Sequence, residues 1–159
     1  SLNISINGNT ENKEIQSYGG ESQNTSLTST VRNNDELQLE KNGWVKLDIN
    51  GYQITKNTVL SFEFTGNGAA EIQGIGFDND NVITRRNDGQ HFFQIDGSQS
   101  WGMEELDKYI VGSDSGFTKY SINVGDIFTG QFDFLTIAND DDSANPTALG
   151  QFQNIELVG

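Results

Sequence analysis

The chain has no cysteine, and among its 159 residues it has only one proline and one histidine. The lack of cysteine excludes disulfide bonds, thiol catalysis and thiolate metal sites. The single histidine, His91, directly precedes Phe92 and Phe93 in a predicted strand, which is more typical of a structural residue than of a catalytic base. No Cys-His or nucleophile-elbow pattern is present, so nucleophilic acyl chemistry is disfavoured.

Positive charge is scarce, since nine Lys and Arg residues face 23 Asp and Glu residues and the formal net charge is −14. Nucleic acid and anionic membrane surfaces would be repelled, so neither is expected as a partner, whereas cations are. Long apolar runs are missing too, and none approaches the length that spans a bilayer.

Runs of good helix formers are absent as well, and Asn, Thr, Ser and Gly interrupt the chain about every eight to twelve residues. This pattern predicts an all-β fold with two packed antiparallel sheets, a β-sandwich. The composition has no break, so residues 1–159 are expected to form a single domain. The chain begins at Ser1 without an initiator Met or a leader, and we expect it to be a piece of a larger precursor.

Alternating apolar residues locate the strands. The clearest is 58–64, in which Leu60, Phe62 and Phe64 point inward. A shift of apolar parity between Phe134 and Leu135 predicts a bulge, and one helical turn is expected within 103–109. Further strands are predicted over 2–6, 26–31, 37–40, 44–49, 71–77, 92–96, 120–124, 131–137 and 152–158. The predicted core comprises Leu60, Phe62, Phe64, Ile75, Phe77, Ile95, Leu135, Ile137 and Ile155.

Two features of these strands bear on function. Gly43 is expected to supply the positive φ of a hairpin turn that leads into strand 44–49. In that strand Trp44 lies opposite the aliphatic row, so its indole is either a lid over a second hydrophobic layer or an exposed platform. Gly74 and Gly76 would weaken strand 71–77 unless something approaches its backbone, so this strand is expected to be central and tightly covered.

Three predicted strands run into acidic residues, and we expect these ends to meet at one rim of the sandwich. Crowded carboxylates repel one another by several kcal/mol at an effective dielectric constant of roughly 20 unless a cation neutralises them. Oxygen ligands of this kind select calcium, although the spacing is not that of an EF-hand. The alternative is a solvated acidic loop. The metal candidates are Asp78, Asp80, Asp96, Asp140, Asp141 and Asp142.

Aromatic residues outside the core pattern suggest a sugar-binding surface. Trp101 lies in the polar loop 97–102, where its indole either presents a face to a sugar ring or plugs the end of the sandwich. Amide and guanidinium groups would supply directional hydrogen bonds to hydroxyls. The ligand-binding candidates are Arg85, Arg86, Gln99, Trp101, Tyr109 and Trp44. Paired carboxylates could in principle hydrolyse a glycosidic bond, but those available are bunched as metal ligands would be.

A family resemblance rests on segments 55–60, 62–64, 72–80, 93–97, 99–102, 124–125, 139–142 and 152–154, with Tyr120. In this order they resemble the β-sandwich carbohydrate-binding modules of secreted bacterial polysaccharide-degrading enzymes, from about residue 15 to the C-terminus. The resemblance implies a jelly-roll fold, calcium, and an extracellular, monomeric domain tethered to a glycoside hydrolase or polysaccharide lyase. It also implies a non-catalytic role, holding that enzyme on a polysaccharide.

Two other functions stay open from the sequence. One is a small catalytic hydrolase or lyase domain, which would release products from a glycan. The other is a calcium-dependent adhesin or spacer domain without a glycan ligand.

Overall fold

A computed structural model describes all residues, 1–159. The strands are β1 (Leu2–Ile6), β2 (Asn9–Lys13), β3 (Gln16–Ser17), β4 (Thr28–Arg32), β5 (Glu36–Glu40), β6 (Gly43–Ile54), β7 (Val59–Gly66), β8 (Ile72–Asp78), β9 (Phe92–Asp96), β10 (Ile110–Asp114), β11 (Phe117–Ile122), β12 (Gly130–Asp140) and β13 (Leu149–Val158). One short α-helix, α1 (Arg85–Asp88), and 3-10 turns at Glu21–Gln23, Gly89–His91, Leu106–Tyr109 and Val124–Asp126 complete the elements. None of these helices has the length and apolar character needed to cross a membrane.

The strands form two sheets. The large sheet has the order β10-β11-β7-β13-β1-β2, with β5 also paired to β13 and β4 paired to β5. The small sheet has the order β3-β6-β12-β8-β9. Neighbouring strands are antiparallel except β1 and β13, which are parallel. The predicted all-β, two-sheet sandwich is confirmed.

The main core lies between the sheets and contains 26 buried hydrophobic residues. Of the predicted core residues, all but one belong to it, because alternate residues of a half-buried strand point to the same side. The exception, Ile95, is partly buried and packs against this core.

A second apolar layer covers the outer face of the small sheet. We call it the outer layer, and it consists of Tyr18, Trp44, Ile72, Phe92 and Ala138, with Ile83 and Trp101 packed against it. Trp44 is only 2% exposed, so its indole belongs to a second hydrophobic layer and is not an exposed platform. A buried indole offers no face on which a sugar ring can stack, which argues against the predicted contact of Trp44 with a ligand.

The glycines of β8 explain how this layer approaches the sheet. A methyl group on Gly74 or on Gly76 would collide with the ring of Phe92, a member of the outer layer, and with a backbone carbonyl oxygen of β9 or of the turn before it. Strand β8 is hydrogen-bonded on both edges, to β12 and β9. It is thus the covered inner strand that its glycines predict.

The predicted hairpin at 41–43 is wrong, because β5 pairs in the large sheet and β6 in the small one. The turn carries the chain from one sheet to the other, and Lys41 rather than Gly43 has the positive φ, 70°. Gly43 instead makes room for the side chain of Leu27. The bulge in β12 lies between Phe132 and Phe134, slightly before the predicted position, and the helical turn within 103–109 is present as a 3-10 turn.

Candidate functional site

The acidic residues lie at both ends of the strands in the small sheet, and we call the two rows of strand ends its opposite edges. Asp78, at the end of β8, faces Phe134, whereas Asp140, at the end of β12, faces Ile72 at the start of β8. Asp96 of β9 pairs with Gln73 and so lies at the same edge of the sheet as Asp140. The prediction of a single meeting point is wrong, because β8 runs antiparallel to both of its neighbours.

Three carboxylates converge at one of these edges. Each of Glu71, Asp140 and Asp142 offers a ligand oxygen, and these oxygens lie within 4.8 Å of one another. Glu71 Oε1 accepts a hydrogen bond from the backbone N–H of Asp142 at 2.8 Å. Asp140 Oδ2 accepts one from the indole N–H of Trp44, also at 2.8 Å. We call this group the acidic rim.

The acidic rim carries uncompensated negative charge. Burial raises the pKa of Asp140, and the negative charge of Asp142 raises it further, whereas the hydrogen bond from Trp44 lowers it. For Glu71, the backbone N–H of Asp142 lowers the pKa, but burial and the carboxyl groups of Asp142 and Asp140 together outweigh it and raise the pKa. Repulsion of this kind is relieved by a cation, and carboxylate oxygens are the donors that calcium prefers. The donor set therefore fits calcium.

Only Asp140 and Asp142 of the predicted metal candidates belong to this rim. Both carboxylate oxygens of Asp141 are engaged, Oδ1 by the Ser143 hydroxyl at 2.6 Å and Oδ2 by the Thr147 and Ala148 N–H groups at 2.8 and 3.0 Å. Burial would raise the pKa of Asp141, but these hydrogen bonds outweigh it and lower the pKa. Asp141 therefore clamps the following loop. Asp96 is exposed, and its carboxylate accepts the N–H of Gly97 at 2.9 Å.

Asp78 and Asp80 occupy the opposite edge, where each accepts hydrogen bonding from groups of the protein. Asp78 is buried, accepting the Tyr18 hydroxyl at 2.5 Å and the Asn79 N–H at 2.7 Å. Asp80 accepts the N–H of Val82 at 2.8 Å. Burial raises the pKa of Asp78 to about 6, opposed by the Tyr18 hydrogen bond and assisted by the charges of Asp88 and Asp80.

This pKa predicts a pH dependence of stability. Because the folded state holds the Asp78 proton more tightly than the unfolded chain, with its usual pKa of 3.8, the free energy of unfolding falls as pH rises from about 4 through 6. Asp78→Asn cannot ionise, and its amide and the Tyr18 hydroxyl can exchange donor and acceptor roles. We expect this variant to be more stable than the parent at pH 8, by on the order of 2 kcal/mol, and equal to it near pH 4.

Urea unfolding across this pH range measures the difference. Asp133→Asn, at an exposed position, makes the same change of net charge and serves as the control. Parallel pH profiles for Asp78→Asn and the parent would contradict the prediction.

Trp101 combines packing with partial exposure. Its ring meets those of Trp44 and Phe92 edge to face, with both centroid separations 5.2 Å. Its backbone N–H donates to Gln94 Oε1 at 2.7 Å, which fixes the loop against β9. The loop begins at Gly97, with φ of 143°, where any side chain would collide with the backbone of Glu71. The indole is thus anchored on the outer layer while Trp101 stays partly exposed.

Other predicted ligand contacts gather around Trp101. Gln99 is exposed, and its Nε2 donates to Glu71 Oε2 at 3.0 Å, joining this loop to the acidic rim. Arg85 and Arg86 are exposed on α1, neither forms a salt bridge, and the turn that follows α1 abuts Trp101. A methyl group on Gly89 of that turn would lie 2.7 Å from the carbonyl oxygen of Trp101.

Tyr109 lies apart from this group. It packs against the main core, beside Phe93 and Met103, in a depression of about 320 Å³. Trp101 packs instead on Phe92, which points to the other side of β9. The structure therefore brings together Trp101, Gln99 and the acidic rim, and it places the turn after α1, the helix that carries both arginines, beside Trp101, but it does not bring Tyr109 there.

Glu71 is the member of the rim that the sequence analysis missed as a ligand. It directly precedes β8, and its proximity to Asp140 follows from the antiparallel pairing of β8 with β12. Glu71 is more than 60 residues from Asp140 and Asp142 along the chain, so the sequence spacing does not indicate that the three carboxylates meet.

The fold places this chain among the two-sheet β-sandwich proteins. On its small sheet, the partly exposed Trp101 lies beside the acidic rim. The sequence matches no protein-family model, and no curated protein is significantly similar to it. Among solved structures, the chain is similar to a variant of a family 29 carbohydrate-binding module, with a TM-score of 0.50, 12% identity, and coverage of 99% of this chain and 89% of that one.

Two further solved structures have the same kind of similarity. For a family 29 carbohydrate-binding module the TM-score is 0.49, with 13% identity over 99% of this chain and 86% of that one. For a family 28 module specific for non-crystalline cellulose it is 0.45, with 16% identity over 91% and 87%. At such low identities a structural similarity establishes the fold alone.

Proposed function

We propose that this chain is a non-catalytic carbohydrate-binding domain that holds a polysaccharide or oligosaccharide at Trp101. The observation that carries the proposal is Trp101, whose indole packs on Trp44 and Phe92 while the residue stays partly exposed. An anchored ring loses little conformational freedom when a ligand stacks on it. The solved structure that shares this fold at a TM-score of 0.50 is itself a carbohydrate-binding module.

The surroundings of Trp101 supply the polar half of such a site. Gln99, Arg85 and Arg86 are exposed donors that can reach sugar hydroxyls, and the carboxylates of the acidic rim are acceptors. Hydrogen bonds to ionised groups are stronger than those between neutral groups. The net charge of −14 disfavours acidic glycans, so a neutral or weakly charged polysaccharide is the proposed ligand.

A polysaccharide panel tests the proposal directly. The domain should be retained in affinity gels that contain a bound polysaccharide, and incubation with the same polymers should release neither reducing ends nor unsaturated products. Product formation would assign the domain to the hydrolases or lyases instead. Failure to bind any glycan on an array, with and without calcium, would overturn the proposed function.

We also propose that the acidic rim holds calcium through Glu71, Asp140 and Asp142. A cation that binds only the folded protein stabilises it by about 2.7 kcal/mol at a hundredfold excess over Kd. Added calcium should therefore raise the melting temperature and EDTA should lower it. Glu71→Gln should lose most of this difference, since it removes one of three charged ligands.

Differential scanning calorimetry with calcium or EDTA measures this effect. Asp96→Asn, an exposed carboxylate at the same edge, is the matched control and should respond to calcium as the parent does. Identical melting curves of the parent in calcium and EDTA would remove the metal from the proposal and leave the glycan site untouched.

The remaining proposal is that the domain is secreted and tethers a polysaccharide-degrading enzyme to its substrate.

A further inference from the structure

A second cleft lies on the large sheet, on the other side of the sandwich from Trp101. Strand β13 pairs with β5 over its first half and with β1 near its end, and its register shifts between Gln153 and Glu156. Its pairing with β5 ends at Gln153 and its pairing with β1 begins at Glu156, which leaves a gap between β5 and β1. The turn between β4 and β5 borders the gap, since the Asn3 N–H donates to the Asn34 carbonyl at 2.7 Å. We call the resulting cleft, of about 350 Å³, the asparagine groove.

The lining of the asparagine groove is almost entirely polar. Its two apolar members, Ile4 and Ile155, are 3% and 2% exposed and belong to the main core. The groove is lined chiefly by amides and carboxylates, those of Asn3, Asn33, Asn34, Asn154, Asp35 and Glu156. Its volume falls at the lower end of the range of small-molecule sites, but its surface is far more polar than is usual for them.

This composition selects a class of ligand. An apolar molecule would leave the amides and carboxylates desolvated without partners, which is costly. An anionic molecule would meet two carboxylates and no Lys or Arg, because no basic residue lines the groove. A neutral polyhydroxylated molecule can donate hydroxyls to the carboxylates and exchange hydrogen bonds in both directions with the amides.

Most of the polar groups are available for such a ligand, although the Asn3 side-chain oxygen already accepts a hydrogen bond from Asn12 Nδ2 at 2.8 Å. Asn33, Asn34, Asp35 and Glu156 take part in none of the side-chain hydrogen bonds or salt bridges within the protein. Asn154 donates only to the exposed carboxylate oxygen Oε2 of Glu63, at 2.9 Å. A ligand in the groove would therefore not have to break buried contacts.

Three of these asparagines occupy left-handed backbone positions. The φ angles of Asn33, Asn34 and Asn154 are 53°, 66° and 51°. Glycine adopts this conformation most readily and asparagine less so. Replacing these residues by glycine therefore preserves the backbone while removing their three side-chain amides, so most of the amides of the groove can be deleted without unfolding its walls.

We infer that the asparagine groove is a second glycan-binding site, which takes a neutral oligosaccharide through its hydroxyl groups without stacking on an aromatic ring. This second site is distinct from the proposed site at Trp101, because both sheets of the sandwich lie between the two. A chain with two such sites would hold a polymer at two points, and the second binding step would be favoured by its high effective concentration.

The test uses isotope-labelled Trp101→Ala protein, in which the first site is removed, and follows side-chain amide resonances by NMR. The probes are cellohexaose, mannohexaose and xylohexaose as neutral oligosaccharides, and hexagalacturonate as the anionic one. We expect at least one neutral probe to shift the amide signals of Asn33, Asn34 and Asn154, with no shift from hexagalacturonate. The triple variant Asn33→Gly, Asn34→Gly, Asn154→Gly should weaken this binding on the order of tenfold or more, since several hydrogen bonds are lost.

The chain contains a matched control. Asn7 and Asn50 are also left-handed, with φ of 49° and 53°, and neither lines the groove. Their replacement by glycine should leave the Kd unchanged.

The same titration of the parent protein distinguishes binding at Trp101 from binding in the asparagine groove. If a probe shifts the Trp101 indole signal of the parent but no groove amide, the inference is wrong and the proposed function stands. If no probe shifts either set, the inference is wrong, and the glycan array decides the proposed function separately. Stronger shifts with hexagalacturonate than with the neutral probes would overturn the assigned ligand class.

Discussion

Trp101→Ala is expected to lose most of the retention on polysaccharide while the protein still unfolds cooperatively. The exposed part of the indole offers a flat apolar surface to a sugar ring, and truncating such an anchor commonly costs about 2 kcal/mol or more, which is a loss of roughly thirtyfold in affinity. Isothermal titration calorimetry with the glycan identified by the panel measures the loss. Trp101→Phe keeps a flat ring and should retain a larger part of the affinity.

A packing control is needed because Trp101 also contacts the outer layer. Ile83 packs against the same layer and is likewise only partly buried, so Ile83→Ala removes apolar contact there without removing a stacking surface. We expect Ile83→Ala to lower stability slightly and to bind as the parent does. Equal affinities of Trp101→Ala and the parent would place the ligand elsewhere.

Trp44→Ala should have the largest effect on stability. The indole is almost fully buried and lies among Tyr18, Phe92 and Trp101, with ring centroid separations of 6.2, 5.3 and 5.2 Å. Removing a large buried aromatic side chain costs about 3–5 kcal/mol. Urea unfolding measures this cost as a fall in the denaturation midpoint.

Trp44→Phe separates the packing of this residue from its hydrogen bond. Phenylalanine restores most of the buried ring but cannot donate to Asp140. It should cost less stability than alanine, because the loss is confined to one hydrogen bond to a charged group, about 1.5–3 kcal/mol, and to a smaller change of volume. An unfolding midpoint for Trp44→Ala equal to that of the parent would contradict the assignment of Trp44 to a buried layer.

The fold followed from local patterns, whereas the arrangement of the site did not. The alternation of Leu60, Phe62 and Phe64 fixes which side of β7 is buried, since a strand of period two needs no knowledge of its neighbours. The turn at 41–43 has the composition of a hairpin, but its strands enter different sheets, a choice made by long-range pairing with β13 and β12.

The candidate site shows the same limit. Trp101 and Gln99 are close in sequence, and their loop could be predicted as one unit. The sequence could not show that Asp78 and Asp140 end at opposite edges, or that Glu71 meets Asp140, because both depend on the direction in which β8 runs. Strands β2, β3 and β10 were not predicted, because they are short, with few buried side chains to give an alternating pattern.

The contacts of Trp44 bear on how a cation and a sugar would influence each other. One buried indole donates to Asp140 of the acidic rim and packs on Trp101, so the positions of both are set by the same rigid group. A ligand that displaced or restrained this indole at one site would therefore also change the other site, which would couple calcium binding to glycan binding. By thermodynamic linkage, the factor by which calcium tightened glycan binding would equal the factor by which the glycan tightened calcium binding.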